Sequence, residues 1–321
     1  MVTEPNMLRR PVVQRSRLML EVASELVGAP GWEDRQVEIR MRPQGAPEWS
    51  MCFFASDAPN SIDAVASGRA QFAICNPGGV LAMAMRGAGP FAEPVPVRAI
   101  TVFPQFDQMG LAVTAQSGIG SLAEIRDRKY PLKVSLRGQR DHSVHLVVDQ
   151  IFRVMGFSLD DIAAWGGQVR YDEEFPDGPN RMGAVERGEV DALFDEAMPM
   201  WAKRAIELQM RFLPVEEPYL SRLEEMGLGR NVITREEYPG LPVDVPAIDF
   251  SGWPVFTLAS TPDAVVTAFC QALEARKDRI PWYGQGPMAL DKMVQNGPEA
   301  PLAIPLHPAA ERFWRAQGYI R

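Results

Sequence analysis

The chain reads as an α/β protein whose sheets are mainly parallel and flanked by helices, and three observations lead there. Short apolar runs bounded by Gly, Pro, Asn and Asp alternate along the sequence with stretches whose apolar residues recur every three or four positions. Several of those runs end in a polar turn that opens a helix, which is the connection a right-handed crossover needs. With 321 residues, 46% apolar and 23% charged, the chain can bury two cores of ordinary size.

Taken in order, Val13–Val27 reads as an amphipathic helix with Met19, Val22, Ala23 and Leu26 on one face. Gln36–Met41 alternates as a strand, Met51–Ala55 is a short apolar strand, and Ser61–Ser67 is a helix closed by Gly68. Gln71–Cys75 is the next strand, running through Asn76-Pro77-Gly78-Gly79 into a helix over Val80–Met85. Val97–Phe103 and Leu111–Thr114 supply two further strands. A second α/β unit starts near Ser117 with a helical turn over Ser121–Ile125 and a strand over Leu132–Leu136. Its helix is the most regular in the chain, with Val144, Val147, Val148, Ile151, Phe152 and Met155 in one stripe, Asp141 or Ser143 as cap and Gly156 as stop.

Further along, Leu159–Ile162 and Gly183–Gly188 read as helices and Val190–Phe194 as a strand. The end of that strand, Asp195-Glu-Ala-Met-Pro199, leads into a helix with Met198, Trp201, Ala202, Ala205 and Ile206 inward. From Phe212 the sequence is rich in proline. Thr261-Pro-Asp263 then opens a helix whose stripe is Val265, Ala268, Phe269, Ala272 and Leu273, and a last helix begins at Pro308.

The turn Val134-Ser-Leu-Arg-Gly-Gln-Arg-Asp-His-Ser143 is the most informative stretch, because a turn opening a helix points backbone N–H groups at one spot and here adds two guanidiniums, Arg137 and Arg140. It predicts a local site for a small carboxylate or phosphate. A net charge of −8 argues against broad attraction to nucleic acid or anionic membrane. Cys52, Cys75 and Cys270 lack Cys-x-x-Cys spacing, and Cys52 and Cys75 lie in apolar runs as small core residues. No stretch approaches the roughly 18 to 20 apolar residues of a spanning helix. Leu8-Arg-Arg-Pro11 and the interrupted segment after it do not read as a secretory leader, so the expectation is either a chain given without its leader or a cytoplasmic protein.

Neither Gly-x-Ser-x-Gly, a Walker loop nor a dinucleotide fingerprint occurs, so no catalytic residue and no cofactor is predicted. His142 and His145 with Asp141 and Asp149 could geometrically approach a metal, but the usual zinc spacing is lacking and no metal ligand is assigned. Trp165-Gly-Gly167 and Tyr171-Asp-Glu-Glu174 read either as a cluster at the cleft edge that selects a ligand by stacking or hydrogen bonding or as a loop with an aromatic packed beneath it. Asp195 and Glu196, adjacent at a strand end, should point to opposite sides, one to the cleft and one to solvent.

Ser67-Gly-Arg-Ala-Gln-Phe-Ala-Ile74, Arg187-Gly-Glu-Val-Asp-Ala-Leu-Phe194 with Pro199 beyond it, Glu237-Tyr-Pro-Gly240 and above all Pro305-Leu-His-Pro-Ala-Ala-Glu-Arg-Phe-Trp314 resemble the TAXI family over about residues 50 to 318. These are solute-binding receptors of TRAP transporters with the type II periplasmic binding protein fold. The resemblance implies a two-lobed α/β architecture closing on an organic anion, with residues 1–115 in the first lobe, 116–215 in the second, and 216–321 crossing back to the first. It implies a cleft lined by Ser56, Asp57, Ala58, Asn76, Pro77, Phe103 and Gln105 from one lobe. From the other would come Arg137, Gly138, Gln139, Arg140, Asp141, Ser143, Glu196, Met198 and Pro199.

Partners implied are a small carboxylate or dicarboxylate and TRAP membrane subunits, with neither nucleic acid nor membrane insertion, and a periplasmic location. The chain departs from the family where small residues usually meet the ligand, placing Gln139, Arg140, Asp141 and His142 there, and it lacks the family's first Gly/Ser-rich loop. Asp161-Ile-Ala-Ala-Trp-Gly-Gly167 and the Arg181 region are similar, more faintly, to dihydroxyphthalate decarboxylases. An aromatic-carboxylate decarboxylase on the same scaffold and a cytoplasmic sensor therefore stay open beside the receptor.

Overall fold

A computed structural model describes residues 11–28, 36–42, 51–56, 59–280 and 286–321. The chain divides into two units, Met1–Val37 and Glu38–Arg321. In the first, helix α1 (Pro11–Gly28) leaves Leu18, Met19, Leu20, Val22 and Leu26 exposed. The second contains the two sheets. Among the described residues no helix is long and apolar enough to cross a membrane.

The first sheet has the order β1-β2-β3-β12-β4, from Val37–Met41, Met51–Ala55, Phe72–Ile74, Trp253–Leu258 and Val97–Phe103 respectively. Strands β2 and β3 are parallel, whereas β12 runs antiparallel to both β3 and β4. Side chains alternate between its faces. Cys52 and Phe54 pack beneath α2 (Asn60–Ala66) and α3 (Gly78–Arg86), in a core with Ile62, Val65 and Leu81. Met51 and Phe53 face the other way, toward α10 (Asp263–Glu274) and α11 (Pro308–Ala316), with Phe72, Ile100, Val266 and Trp314. All three cysteines are buried and free.

The second sheet has the order β7-β6-β8-β5-β9, from Gln168–Asp172, Lys133–Arg137, Ala192–Asp195, Gly110–Val113 and Arg211–Phe212. Its parallel part is β7, β6 and β8, and β5 pairs antiparallel with β8 and with β9. Leu111, Val134, Leu136 and Phe194 pack against α4 (Leu122–Asp127), α5 (Ser143–Met155), α6 (Leu159–Ala164) and α9 (Tyr219–Met226). Ala112, Leu193 and Phe212 face α7 (Met182–Glu186), α8 (Met198–Glu207) and the hairpin of β10 (Arg230–Ile233) with β11 (Val245–Ile248).

This is the expected two-lobed α/β fold, each sheet mainly parallel and flanked by helices. One strand in each sheet runs against its two neighbours, because β5 and β12 enter from the opposite lobe rather than by a local crossover. The helical stripe of α5 is buried as read, but its N-cap is neither Asp141 nor Ser143. The His142 ring accepts the Val144 N–H through Nδ1 at 3.1 Å. Strand β7 stands where the sequence reads as loop, and α9 and β10 to β12 form within the proline-rich stretch after Phe212.

Candidate functional site

The two segments that pass between the sheets run side by side. Phe250 N–H donates to Asp107 O at 3.0 Å, Gly252 N–H to Gln105 O at 2.8 Å and Met109 N–H to Ile248 O at 2.9 Å. The Ser251 hydroxyl accepts the Asp107 N–H at 3.0 Å and donates to Asp107 O at 3.1 Å. From the first sheet, the Asn76 amide at the end of β3 donates to both Phe250 O and Gly252 O, at 3.1 and 3.0 Å. From the second, the His142 ring lies parallel to the Phe250 ring, with centroids 6.4 Å apart and planes 3° apart. The turns after β3 and after β6 therefore meet at one residue, Phe250.

Behind that meeting point lies a buried ionic cluster. Arg137, the last residue of β6, donates through Nη2 to Asp195 Oδ1 at 2.8 Å and to Glu196 Oε1, and its Nη1 lies 3.1 Å from His142 Nε2. Arg181, fully buried at the start of α7, donates from Nη1 to Asp195 Oδ2 and from Nε to the Ser135 hydroxyl at 3.2 Å. Ser135 in turn donates to Asp172 Oδ2 at 2.7 Å. Gly138 follows Arg137, and a Cβ there would stand 2.8 Å from the Glu173 backbone, so only glycine lets the turn pass beneath residue 173.

Asp107 links this cluster to the crossing segments. Its Oδ2 accepts the Ala197 N–H at 2.9 Å and its Oδ1 the Met198 N–H at 3.0 Å, which caps α8 with a negative charge at the positive end of the helix. Ala197 adopts φ +57, and that left-handed turn brings Glu196 back toward Arg137. Asp195 and Glu196 are accordingly both buried, which corrects the expectation that one of them is solvated.

Burial alone would raise Asp195, but the charges of Arg137 and Arg181 outweigh it and hold the carboxyl below the usual range. Glu196 goes the other way: burial pushes it well above the usual range, Arg137 opposes, and the charges of Asp107 and Asp195 add to the push. Burial also raises Asp107 to about 6, against hydrogen bonds from Glu196, Met198, Gln108 and Ala197. Burial and the nearby Arg137 charge push His142 down to about 3, so its ring is neutral at physiological pH. Arg137 and Arg181 thus bracket Asp195, Arg137 also meets Glu196, and Asp107 is held by backbone N–H groups.

The raised Asp107 gives a testable pH dependence. Since the folded state holds this proton more tightly than an ordinary carboxyl near 3.8, the group costs stability as pH rises from about 4 through about 6, and the cost is constant above that. Asp107→Asn should flatten this part of the stability curve, measured as the urea midpoint from pH 4 to 8. A curve parallel to that of the parent protein across pH 4 to 6 would refute the assignment.

Of the residues expected in the cleft, Asn76, Arg137, Ser143 and Glu196 are buried around the Phe250 junction or the ionic cluster. Pro77 stands at the N-cap of α3 and Ser56 is buried with its hydroxyl 3.3 Å from Asn60 Oδ1. Phe103 and Gln105 are half-buried; Phe103 pairs in register with Trp253, and Gln105 Oε1 accepts the Trp253 indole N–H. Gln139 is half-buried and its carbonyl accepts from His145 Nε2 at 2.9 Å. Arg140 does not join Arg137: it is exposed, with its guanidinium 3.4 Å from the centroid of the Tyr171 ring, and Asp141 is exposed as well. Met198 packs its sulfur against Gly110 in the core. Asp57 and Ala58 lie outside the described residues.

Sequence reasoning assigned no site role to Asp107, Ser135 or Phe250, and reached Arg181 only through the faint decarboxylase resemblance. An acid between Phe106 and the apolar β5 was a visible signal for Asp107, whereas nothing local marks Arg181. Among the described residues no group of three or more side chains could hold a metal ion.

A sequence model of the NMT1-like family matches residues 54–318. Among curated proteins none matches the chain in sequence. Solved structures similar to it include the alkanesulfonate-binding protein SsuA from Xanthomonas axonopodis pv. citri bound to MOPS, at 14% identity and a TM-score of 0.33, covering 68% of this chain and 60% of that one. MatC from Rhodopseudomonas palustris with bound malate is similar at 15% identity and a TM-score of 0.35, covering 69% of each chain. The ATP phosphoribosyl transferase (HisG:HisZ) complex from Thermotoga maritima is similar at 12% identity and a TM-score of 0.40, covering 82% of this chain and 95% of that one.

Proposed function

The chain belongs to the NMT1-like family, and from that premise we propose that it is a solute-binding receptor of the periplasmic-binding-protein type that closes its two lobes on a small organic anion. The observation that carries this reading is the buried pair Arg137 and Arg181 beside the junction where the turns after β3 and β6 meet on Phe250. Burial and the charges of Asp107 and Asp195 hold the Glu196 carboxyl well above the usual range and His142 is neutral, so the Arg137 guanidinium is a donor for which an incoming anion can compete. Ionised Asp107 is satisfied separately, by the backbone N–H groups that open α8. A ligand touching both turns would favour the closed arrangement by its differential affinity for it.

On this reading the first lobe is built on the sheet of β1 to β4 with β12 and the second on the sheet of β5 to β9 with α9, β10 and β11, so the boundaries expected at 115 and 215 give way to the crossing segments 104–109 and 248–252. Asn76, Gln105, Arg137, Gln139 and Ser143 face the ligand, a carboxylate or dicarboxylate. The finer assignment, a periplasmic receptor of the TAXI type delivering that ligand to TRAP membrane subunits, rests on the sequence motifs around residues 67–74, 187–199, 237–240 and 305–314.

A thermal-shift panel of dicarboxylates, keto acids, acidic amino acids and aromatic carboxylates tests the reading. A true ligand at a hundred times its Kd stabilises the native state by about 2.7 kcal/mol, and Arg137→Met should abolish that shift. A panel without any stabilising anion, or a hit that binds Arg137→Met equally well by calorimetry, would overturn the reading. Product analysis after incubation with each hit separates a receptor from an enzyme.

A further inference from the structure

Glu196 stands at an unusual place for an acid in an anion receptor. Its Oε1 is on Arg137 Nη2, the nitrogen shared with Asp195, and it lies 3.8 Å from His142 Nε2. It is 7% exposed, so it cannot relax into solvent without a backbone change. Its backbone is fixed on both sides: the Glu196 N–H donates to Asp195 Oδ1 at 2.9 Å, and Glu196 O accepts the Trp201 indole N–H at 2.8 Å. The charged groups around its carboxyl are Arg137 from β6, Asp195 from β8, Asp107 from the crossing segment and, through Asp195, Arg181 from α7. Among the described residues His142, from the turn after β6, is a further titratable neighbour.

We propose that Glu196 is a specificity-determining residue that acts as an internal competitor for Arg137, its carboxyl standing where the anionic group of a ligand would stand. The inference rests on the anion-receptor reading above and assigns Glu196 a role opposite to that of a ligand contact. A ligand carboxylate takes over Arg137 Nη2, and the Glu196 carboxyl, carrying a proton, turns toward the neighbouring Asp107. Ionised Glu196 would instead hold Arg137 and repel the incoming anion. The site therefore accepts anions while Glu196 is protonated and rejects them once it ionises. Weak anions that cannot displace a carboxyl from a guanidinium are excluded at any pH.

The direction follows from linkage. Binding of an anion favours protonated Glu196, so affinity is flat at pH values where the free protein already holds that proton and falls as pH rises through the raised range of Glu196, by up to about tenfold per pH unit. Glu196→Gln keeps the shape and the hydrogen bond to Arg137 but cannot ionise. It should abolish the alkaline loss of affinity.

The experiment compares the full chain and its Glu196→Gln and Arg137→Met variants by thermal shift and calorimetry at pH 6, 7.5 and 9. The probes are malate, succinate, glutamate and benzoate. Anion binding by the parent protein that weakens toward pH 9, with a Glu196→Gln variant that does not weaken, supports the proposal. Binding confined to Glu196→Gln at all three pH values overturns it, because protonated Glu196 should admit the anion. Binding by both with the same pH profile overturns the proposal and leaves the receptor reading intact. A lack of any probe binding to either protein at all three pH values overturns both. Circular dichroism of each variant at each pH confirms that the comparison is between folded proteins, and Glu196→Ala replaces Glu196→Gln should the latter fail to fold.

Discussion

Replacing Arg181 by methionine is expected to lower the stability of the folded chain by about 3–5 kcal/mol, the cost of removing one partner from a buried pair. Arg181 is fully buried, and its guanidinium makes the contact to Asp195 Oδ2 that Arg137 reaches only at 3.5 Å. Without it, a buried carboxylate keeps half its charge partners, the Ser135 hydroxyl loses a donor, and the Glu174 carbonyl loses its contact at 3.3 Å. Methionine fills similar volume, so the loss reports charge rather than a cavity. Urea denaturation with unchanged slope and a lowered midpoint would show it. A change below about 1 kcal/mol would mean that desolvating the guanidinium cancels what its pairing contributes.

Arg181 also shows where legibility ended. The stripe Val144 to Met155 could be read because a helix that buries one face must repeat at 3.6 residues, and it is buried as the pattern requires. The alternation of β2 was equally direct, with Cys52 and Phe54 on one face and Met51 and Phe53 on the other. Strands β10 to β12 were illegible because Pro239, Pro242, Pro246 and Pro254 interrupt the local signal, and their pairing comes from distant partners: Phe256 opposite Ala73 and Ala99, Val245 opposite Ile233. A charged residue reads by default as exposed, so Arg137 and Arg140 looked equivalent three residues apart. Only the end of β6 separates them, since Arg137 is still in the strand and points to Asp195 whereas Arg140 has left it and lies on Tyr171. The tail around His307, the most particular of the recognised motifs, is structural: its Nδ1 accepts the Ala309 N–H at 3.2 Å and caps α11.

Gly227→Ala is the second large effect, expected to cost about 3 kcal/mol or more from overpacking and backbone strain together. Gly227 ends α9 at φ +129, and a Cβ there would stand 2.6 Å from Met83 N and 2.9 Å from Ala82 C, backbone atoms of α3 that cannot swing away as a side chain would. The approach is reciprocal, since a Cβ on Gly79 would come within 3.2 Å of Gly227 O. Arg86 fastens the same contact by donating from Nη1 to Glu224 O and Glu225 O, both at 2.8 Å, at the carbonyl end of α9. Because α3 follows β3 of the first sheet while α9 packs with α5 on the second, this backbone contact joins the two lobes away from the ionic cluster. Two outcomes of denaturation and small-angle scattering are therefore distinct. If the lobes are locked together, Gly227→Ala loses the full amount with unchanged dimensions. If they hinge about residues 104–109 and 248–252, the variant escapes part of the cost by opening, and its radius of gyration rises while the measured loss shrinks. Unchanged stability together with unchanged dimensions would refute the close approach itself.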